Sequence, residues 1–414
     1  MIVLVLGAVP LAVWLWLLVG HGGFWLARER DDGMLPAPAA WPDVVAVVPA
    51  RDEADVIAQS IGSLLRQDYP GRFRIVLVDD NSSDGTAEVA LSLTQSRDPG
   101  LVPRSRVAAG RTGPELIPRW TPEQVRGEET RSPLTILSGA PLASGWTGKL
   151  WAVHQGIAAA DDPEWLWLTD ADIEHAADTL RSLVARGEQD RPEGARVLVS
   201  LMARLRCETP AERALVPAFV FFFQMLYPFA RVNRPGRTAA AAGGCMLVRR
   251  AALAQAGGID AVRGALIDDC AVGALMKRQG PVWLGLTDRS VSIRPYGAVE
   301  DVAAMIARSA YAQLGYSPVR LVGAIGGLAL VYLAPPLLAL LGQGAARWLG
   351  AAVWAAMALA FQPMLAFYRR SPLWGLALPG IAAFYAGCTV RSGIAHAQGR
   401  GGLWKGRAQA ATRA

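Results

Sequence analysis

Apolar and polar positions divide the chain into four apolar runs and one long polar block. Ile2 to Gly20 is almost wholly apolar and continues through Phe24-Trp25-Leu26 to Arg28. Three further runs crowd the C-terminal end: Leu321–Leu341, Leu349–Tyr368 and Leu373–Val390. Each is about long enough to cross a hydrocarbon core of about 30 Å. Buried core helices are the alternative, but three such runs in succession with almost no charge weigh against it. The first run has no basic segment before it and no small-x-small cleavage site after it, so it reads as a retained anchor and not a signal peptide.

Within the polar block, roughly Trp41–Ser317, the pattern alternates between strand and helix. Val44–Pro49, Phe73–Val78, Leu134–Leu137 and Trp165–Leu168 read as buried strands. Val56–Leu65, Thr86–Leu93 and Leu150–Ala160 have helical spacing, and Ser96–Ser132, rich in Pro, Gly and Arg, reads as an irregular insertion. Such alternation predicts an α/β fold with a parallel sheet covered on both faces, whose ligands bind beyond the carboxyl ends of the strands. Ala214–Phe229 and Val299–Leu314 are amphipathic or apolar without being clean spans. They read either as core helices or as helices lying at a bilayer surface and guiding a lipid.

Composition agrees with a membrane protein. Of 414 residues 52% are hydrophobic and 18% charged, with a mean hydropathy of +0.26. The net charge of +6 suits a membrane surface or an anionic substrate. No Lys/Arg stripe with interleaved aromatics suggests nucleic acid. Cys207, Cys245, Cys270 and Cys388 form no CxxC pair, so neither a zinc site nor a disulfide framework is indicated.

The strand ends carry the candidate chemistry. They read Pro49-Ala50-Arg51-Asp52-Glu53, Asp79-Asp80-Asn81-Ser82-Ser83-Asp84-Gly85 and Asp170-Ala171-Asp172. Turn formation and helix capping account for Ser82, Ser83 and Asp84. They do not account for two adjacent acids closing a buried strand. Asp170 and Asp172, two residues apart in an extended segment, would point the same way and repel unless a cation sat between them. Mg²⁺ or Mn²⁺, which takes oxygen ligands and substrate phosphates, fits that need. His175 stands nearby as a further candidate ligand, though an isolated His is more often structural. Gly148-Lys149 opens a helix and suits a phosphate, although no P-loop pattern is present. Asp268-Asp269 precedes an apolar helix; capping is one account and a general base for an acceptor hydroxyl the other.

Taken together these strings resemble the inverting family 2 glycosyltransferases of GT-A fold over roughly Val44–Gln279. The resemblance implies donor contacts from Pro49, Arg51, Glu53, Asp80, Lys149 and Asp170, a metal on Asp170 and Asp172, and Asp269 as the catalytic base. It implies that Gly243-Gly244-Cys245-Met246 forms the acceptor-side strand. Asp268 stands where the family has Glu. The Gln-x-x-Arg-Trp string of processive synthases is absent near Arg308, which favours single transfer. Gly145-Trp146-Thr147-Gly148-Lys149-Leu150-Trp151-Ala152 and Phe221–Pro228 are similar to the hopanoid-associated glycosyltransferases, the HpnB group, and to ceramide glucosyltransferase-like relatives.

The expected architecture is an anchor over 1–27, a Rossmann-like GT-A domain over 41–298, an amphipathic interfacial helix over 299–318, about three transmembrane helices over 319–392 and a basic tail over 393–414. The expected activity is transfer of one sugar from a UDP-type nucleotide-sugar to a lipid acceptor, a hopanoid in the finest reading, at the bacterial inner membrane with the catalytic block in the cytoplasm. A polyprenyl-phosphate sugar transferase and a nucleotidyltransferase are the alternatives. Four full crossings leave the basic tail outside, against the positive-inside rule, so either the tail is an exception or one late segment is re-entrant.

Overall fold

An eight-stranded sheet carries the polar block. The computed structural model describes residues 2–33, 35–95, 133–190 and 192–400, with the backbone alone for 2–6, 94–95, 403–404 and 407–408. The expected insertion, Ser96–Ser132, and most of the basic tail lie outside the described residues. The strands are β1 (Val44–Ala50), β2 (Phe73–Asp79), β3 (Leu134–Ser138), β4 (Trp165–Leu168), β5 (Ile173–His175), β6 (Leu198–Arg204), β7 (Met246–Arg249) and β8 (Val282–Ser292). Their order is β3-β2-β1-β4-β7-β6-β8-β5. The first four run parallel, as expected. The sheet as a whole is mixed, because β7 runs antiparallel to both β4 and β6, and β5 to β8.

All seven residues of β1 are buried. Val44, Ala46, Val48 and Ala50 join one core with Ile75, Leu77, Trp165 and Trp167. Val45 and Val47 join the other with Val76, Val78, Leu166 and Leu168. Burial on both faces is why the strand reads as a continuous apolar run instead of an alternating one. Each fully buried Val or Leu contributes about 1.5–3 kcal/mol. Pro49 is tolerated in this central strand because the last β1–β4 register pair is Val47 with Leu168, so its missing N–H removes no bond on that side.

The helices of the polar block are α2 (Ile57–Leu65), α3 (Thr86–Gln95), α4 (Gly148–Ala158), α5 (Thr179–Gly187), α6 (Pro210–Leu226), α7 (Phe229–Val232), α8 (Arg250–Gln255), α9 (Asp268–Lys277) and α10 (Val299–Gln313). α4 lies so close to the sheet that a Cβ on Gly156 would stand 2.4 Å from Val47 Cγ1. α6 begins on a complete capping box built by Thr209 and Glu212.

Among the described residues, four helices are long and apolar enough to cross a membrane: Pro210–Val232, Pro318–Leu341, Gly344–Phe367 and Pro372–Ala397. The first contains α6 and α7 and is 56% buried in the protein, so it packs as a core element. The second comprises α11 (Pro318–Leu328), a π turn and α12 (Ala334–Leu341); the third is α13. The N-terminal run forms α1 (Ile2–Leu15) and a π turn, after which Gly22 and Gly23, both at positive φ, turn the chain into Phe24–Leu26. Trp14 of α1 donates to the carbonyl of Val331 at 3.1 Å. One core runs from β1 and β4 through α6 into Tyr332, Phe361 and Tyr385 of the apolar helices, so sheet and helices pack as one body.

The last apolar segment departs from a simple crossing. The short helix Pro372–Ala377 turns back along α13: Gln362 Nε2 donates to the Pro372 carbonyl and Trp354 Nε1 to the Leu376 carbonyl, both at 3.1 Å. α14 (Leu378–Ala397) then runs to the foot of α11. There a Cβ on Gly393 would stand 2.9 Å from Leu321 Cδ2, and His396 stacks on Tyr316 with centroids 4.5 Å apart.

Candidate active site

The carboxyl ends of β1, β2 and β4 converge. The loops after β1 and β2 are stitched together by short polar bonds. Asp52 and Ser82–Thr86 supply them: Asp52 N–H donates to Ser82 Oγ at 3.0 Å, Ser83 N–H to Asp52 Oδ1 at 2.8 Å and Glu53 N–H to Thr86 Oγ1 at 2.8 Å. The turn-forming role expected of Ser82, Ser83 and Asp84 is thus what the structure shows. Asp52 and Asn81 adopt φ of 49° and 54°, a strained backbone of the kind that clusters at functional sites. Arg51 donates to the Asp80 carbonyl and lies 3.8 Å from Asp80 Oδ2. Asp80 is fully buried, and this pair sits beside the cleft instead of on its wall.

The cleft itself holds about 490 Å³ of empty space, its open mouth included, and is lined by Pro49, Glu53, Lys149, Asp170, Asp172, Asp268 and Arg308 among others. Thr147 caps α4, accepting from Leu150 N–H, and so places Lys149 in the first turn. Lys149 Nζ bridges Asp170 at 2.7 Å and Asp268 at 2.9 Å. Burial alone would lower the Lys149 ammonium, but these two carboxylates outweigh it and hold the pKa above the ordinary lysine value. Burial likewise acts to raise Asp170, and Lys149 overrides it to hold the carboxyl below its ordinary value.

Asp170-Ala171-Asp172 is not extended, contrary to expectation. It forms a turn between β4 and β5, closed by Ile173 N–H to the Asp170 carbonyl at 3.4 Å. The two carboxylates therefore part, each to its own cation. Asp172 Oδ2 accepts from Arg294 Nε at 2.7 Å, while Arg294 Nη2 donates to both oxygens of Glu53 at 2.6 and 2.7 Å. Burial opposes the Arg294 charge, and Asp172 and Glu53 more than restore it.

His175 takes no place in the cleft. It is buried between Thr169 Oγ1 and Ser290 Oγ, each at 2.9 Å, and burial pushes its pKa down to about 3. A neutral imidazole with both ring nitrogens engaged is a packing residue, which settles it as structural. Among the described residues no group of three or more His, Cys, Asp or Glu is arranged to hold a metal. The pair Asp170 and Asp172 nonetheless suits a hard cation. Each commits one oxygen to its partner cation and retains another, and Mg²⁺ or Mn²⁺ ordinarily needs only one or two carboxylates plus substrate phosphates.

Asp269 opens α9 beside Asp268. Its Oδ2 accepts from Gly243 N–H at 3.1 Å and its Oδ1 from Cys270 N–H at 2.7 Å. Burial first and the Asp268 charge second push its pKa up to about 6, a value suited to a base at neutral pH. Gly243 permits this approach: a Cβ there would stand 3.3 Å from Lys149 Nζ and 3.4 Å from Asp269 Cβ.

Two residues enter that sequence reasoning did not assign. Arg294 follows β8, and its only sequence signal is a lone cation at a strand end. Arg308 sits on the polar face of α10, is exposed and lines the cleft. Among the described residues no carboxylate pairs with it, though its charge helps lower Asp170.

Residues 45–108 match the family model "Glycosyl transferase family 2" and residues 136–391 match "Glycosyl transferase family 21". Among curated proteins, none matches the chain. Of solved structures, the mannosyltransferase of Pyrobaculum calidifontis, in complex with GDP-Man and Mn²⁺, is similar at 20% identity and a TM-score of 0.52, over 94% of this chain and 97% of that one. The glucosyl-3-phosphoglycerate synthase of Mycobacterium tuberculosis matches at 16% identity over 66% of this chain and 79% of its own, with a TM-score of 0.38. The first of these likenesses shows the fold, a GT-A-like mixed α/β sheet followed by apolar helices. With the second family model covering most of the chain from β3 to α14, the protein belongs to glycosyl transferase family 21 and is a glycosyltransferase.

Proposed function

We propose that this glycosyltransferase moves one sugar from a nucleotide-sugar, of UDP type, to the hydroxyl of a membrane lipid with inversion, a hopanoid being the acceptor that the Gly145–Ala152 and Phe221–Pro228 strings favour. The observation that carries the reading is the position of Asp269. It is a carboxylate poised near pH 6, held on Gly243 beside an acidic and cationic cleft. The body that holds it shares one apolar core with the helices. The proposed catalytic unit is 41–298, with 299–318 as the interfacial helix.

In this reading Lys149, Arg294 and Arg308 bind the donor diphosphate, and Pro49, Arg51, Glu53 and Asp80 shape the nucleotide end. Asp170 and Asp172 would hold Mg²⁺ or Mn²⁺, which supplies charge neutralisation for the departing diphosphate. Asp269 takes the proton of the acceptor hydroxyl as that oxygen bonds the anomeric carbon. The bond from that carbon to the diphosphate oxygen breaks, and the diphosphate leaves with the electron pair.

The same reading gives an orientation for the chain. α11 starts, and α13 ends, on the side of the sheet: Arg30, bridged to Leu286 of β8, lies 4.9 Å over Phe367. α14 ends at that same side, against Leu321 and Tyr316. In this reading Pro372–Ala397 is re-entrant and α14 returns to the cytoplasmic side of the cleft, in line with the positive-inside rule. A reporter fused after Ala414 should score cytoplasmic; an outside score overturns the re-entrant reading.

Purified full-length protein, UDP-sugars and bacterial lipid extract test the activity. Release of UDP only when lipid is present, with a glycolipid product, is expected. Release of pyrophosphate would make it a nucleotidyltransferase, a product built on a polyprenyl phosphate would replace the hopanoid acceptor, and no release with any nucleotide-sugar would sink the reading.

A further inference from the structure

Arg308 reaches the cleft from a helix outside the sheet. α10 packs on α6 and α14, both apolar. One hydroxyl joins it to α14. Ser392 Oγ accepts from Tyr311 N–H at 3.1 Å and donates to the Ala307 carbonyl. Ala307 and Tyr311 are the two ends of a single i to i+4 rung, and Arg308 lies within that turn. Ser392 is 6% exposed, so water does not compete for the bonds. Around it the contact is closed by aromatic rings and further polar bonds. Tyr311 meets the His396 ring at 5.4 Å, its hydroxyl donates to the Tyr316 carbonyl at 3.0 Å, and Gln313 Nε2 donates to Tyr227 Oη at 2.6 Å.

A hydroxyl in an apolar helix often does no more than satisfy a neighbouring backbone. Here the neighbour is the turn that aims the one cleft cation lacking a carboxylate partner among the described residues. Lys149 and Arg294 are fixed by their acids. Among the described residues Arg308 has only its helix to hold it, and a guanidinium binds a diphosphate well only when its fork is pre-aimed.

We propose that Ser392 is a positioning residue for donor binding: its hydroxyl fixes the α10 turn, so that a membrane helix touching no substrate sets how well Arg308 meets the nucleotide diphosphate. This rests on the reading of the cleft as the diphosphate site. The test titrates UDP with Mn²⁺ against the full chain in detergent and follows donor KM and kcat. Arg308→Ala should weaken UDP about tenfold or more. Ser392→Ala should weaken it about three- to tenfold and raise donor KM by the same factor with kcat little changed. In the Arg308→Ala background, Ser392→Ala should cost nothing further, and Ser392→Thr, which keeps the hydroxyl, should restore affinity in the wild-type background. Equal UDP binding by wild type and Arg308→Ala overturns the diphosphate reading of the cleft. A normal Arg308 effect with unchanged binding by Ser392→Ala, or an equal Ser392→Ala loss with and without Arg308, overturns the positioning role alone.

Discussion

Replacing Asp269 by Asn removes a proton acceptor while keeping the side chain's size, and the structure sets the magnitude. Positioned general bases contribute about 10²- to 10⁴-fold, so kcat should fall by that factor, or about 3–5.5 kcal/mol in the barrier. Folding should change little, because two effects oppose. The Asn can accept from only one of the Gly243 and Cys270 N–H groups that Asp269 now satisfies, and an unmet buried donor costs about 1–3 kcal/mol. Against that, holding a carboxyl at about 6 when its ordinary value is 3.8 costs the folded chain up to about 3 kcal/mol at pH 7. The sign follows from the raised value: the unfolded chain ionises first, so the cost begins near pH 4, grows to pH 6 and is constant above. The Asn variant escapes it. In wild type, kcat/KM should rise about tenfold per pH unit up to pH 6 and then level, and the variant's residual rate should lack that limb. The assay is diphosphate release from pH 5 to 8, with donor affinity measured by calorimetry. An Asn variant that keeps more than a tenth of kcat, or one whose donor affinity collapses in step with kcat, would refute the assignment of Asp269 as base.

Three further perturbations follow from the same geometry. Asp172→Ala removes a proposed metal ligand and releases Arg294 from one of its two acids, so donor affinity should lose its dependence on Mn²⁺ in a titration. A preserved Mn²⁺ dependence speaks against Asp172 as ligand. Lys149→Met leaves Asp170 and Asp268 without their shared cation and takes away a charge that lowers Asp269. UDP should bind more than tenfold weaker, and the acidic limb of the rate profile should move above pH 6; a limb moving down contradicts the electrostatics. Gly156→Ala forces a methyl to within 2.4 Å of Val47 and should cost about 1–3 kcal/mol of stability by overpacking. Thermal unfolding of the full chain measures it, and an unchanged midpoint counts against so tight an α4–β1 contact.

Much of the fold was legible in the sequence, for physical reasons. Strands β1 to β4 fell within a residue of their expected bounds, because apolar β-branched and aromatic runs carry a strong signal, although β3, at the sheet edge, buries only Leu134 and not the whole run that was expected to be buried. The antiparallel course of β7 was not legible, since reversing a strand leaves its residue pattern unchanged. The last apolar run was expected to end at Val390, yet α14 continues to Ala397. Arg391, Ser392 and His396 look like an exit from the bilayer, but they lie on a helix that continues against α10. In the site, the acids announced themselves as strand ends. Lys149 did so as well, at a helix start, but Arg294 did not: it is 122 residues from Asp172 and 241 from Glu53, and nothing local marks such a contact. That is also why Asp170 and Asp172 were expected to await a shared cation, when each already faces a separate one.

Those ion pairs have a consequence for how the cleft loads. Four carboxylates, Glu53, Asp170, Asp172 and Asp268, stand among three cations, Lys149, Arg294 and Arg308. The resting wall is thus largely paired, with a small negative excess to which Asp269 adds above pH 6. The diphosphate of a nucleotide-sugar arriving with its divalent ion is itself nearly neutral, so loading exchanges one set of ion pairs for another and transfers little net charge. Affinity for the pair should then respond weakly to ionic strength, whereas the diphosphate or the divalent ion alone meets a wall whose charges are already spoken for.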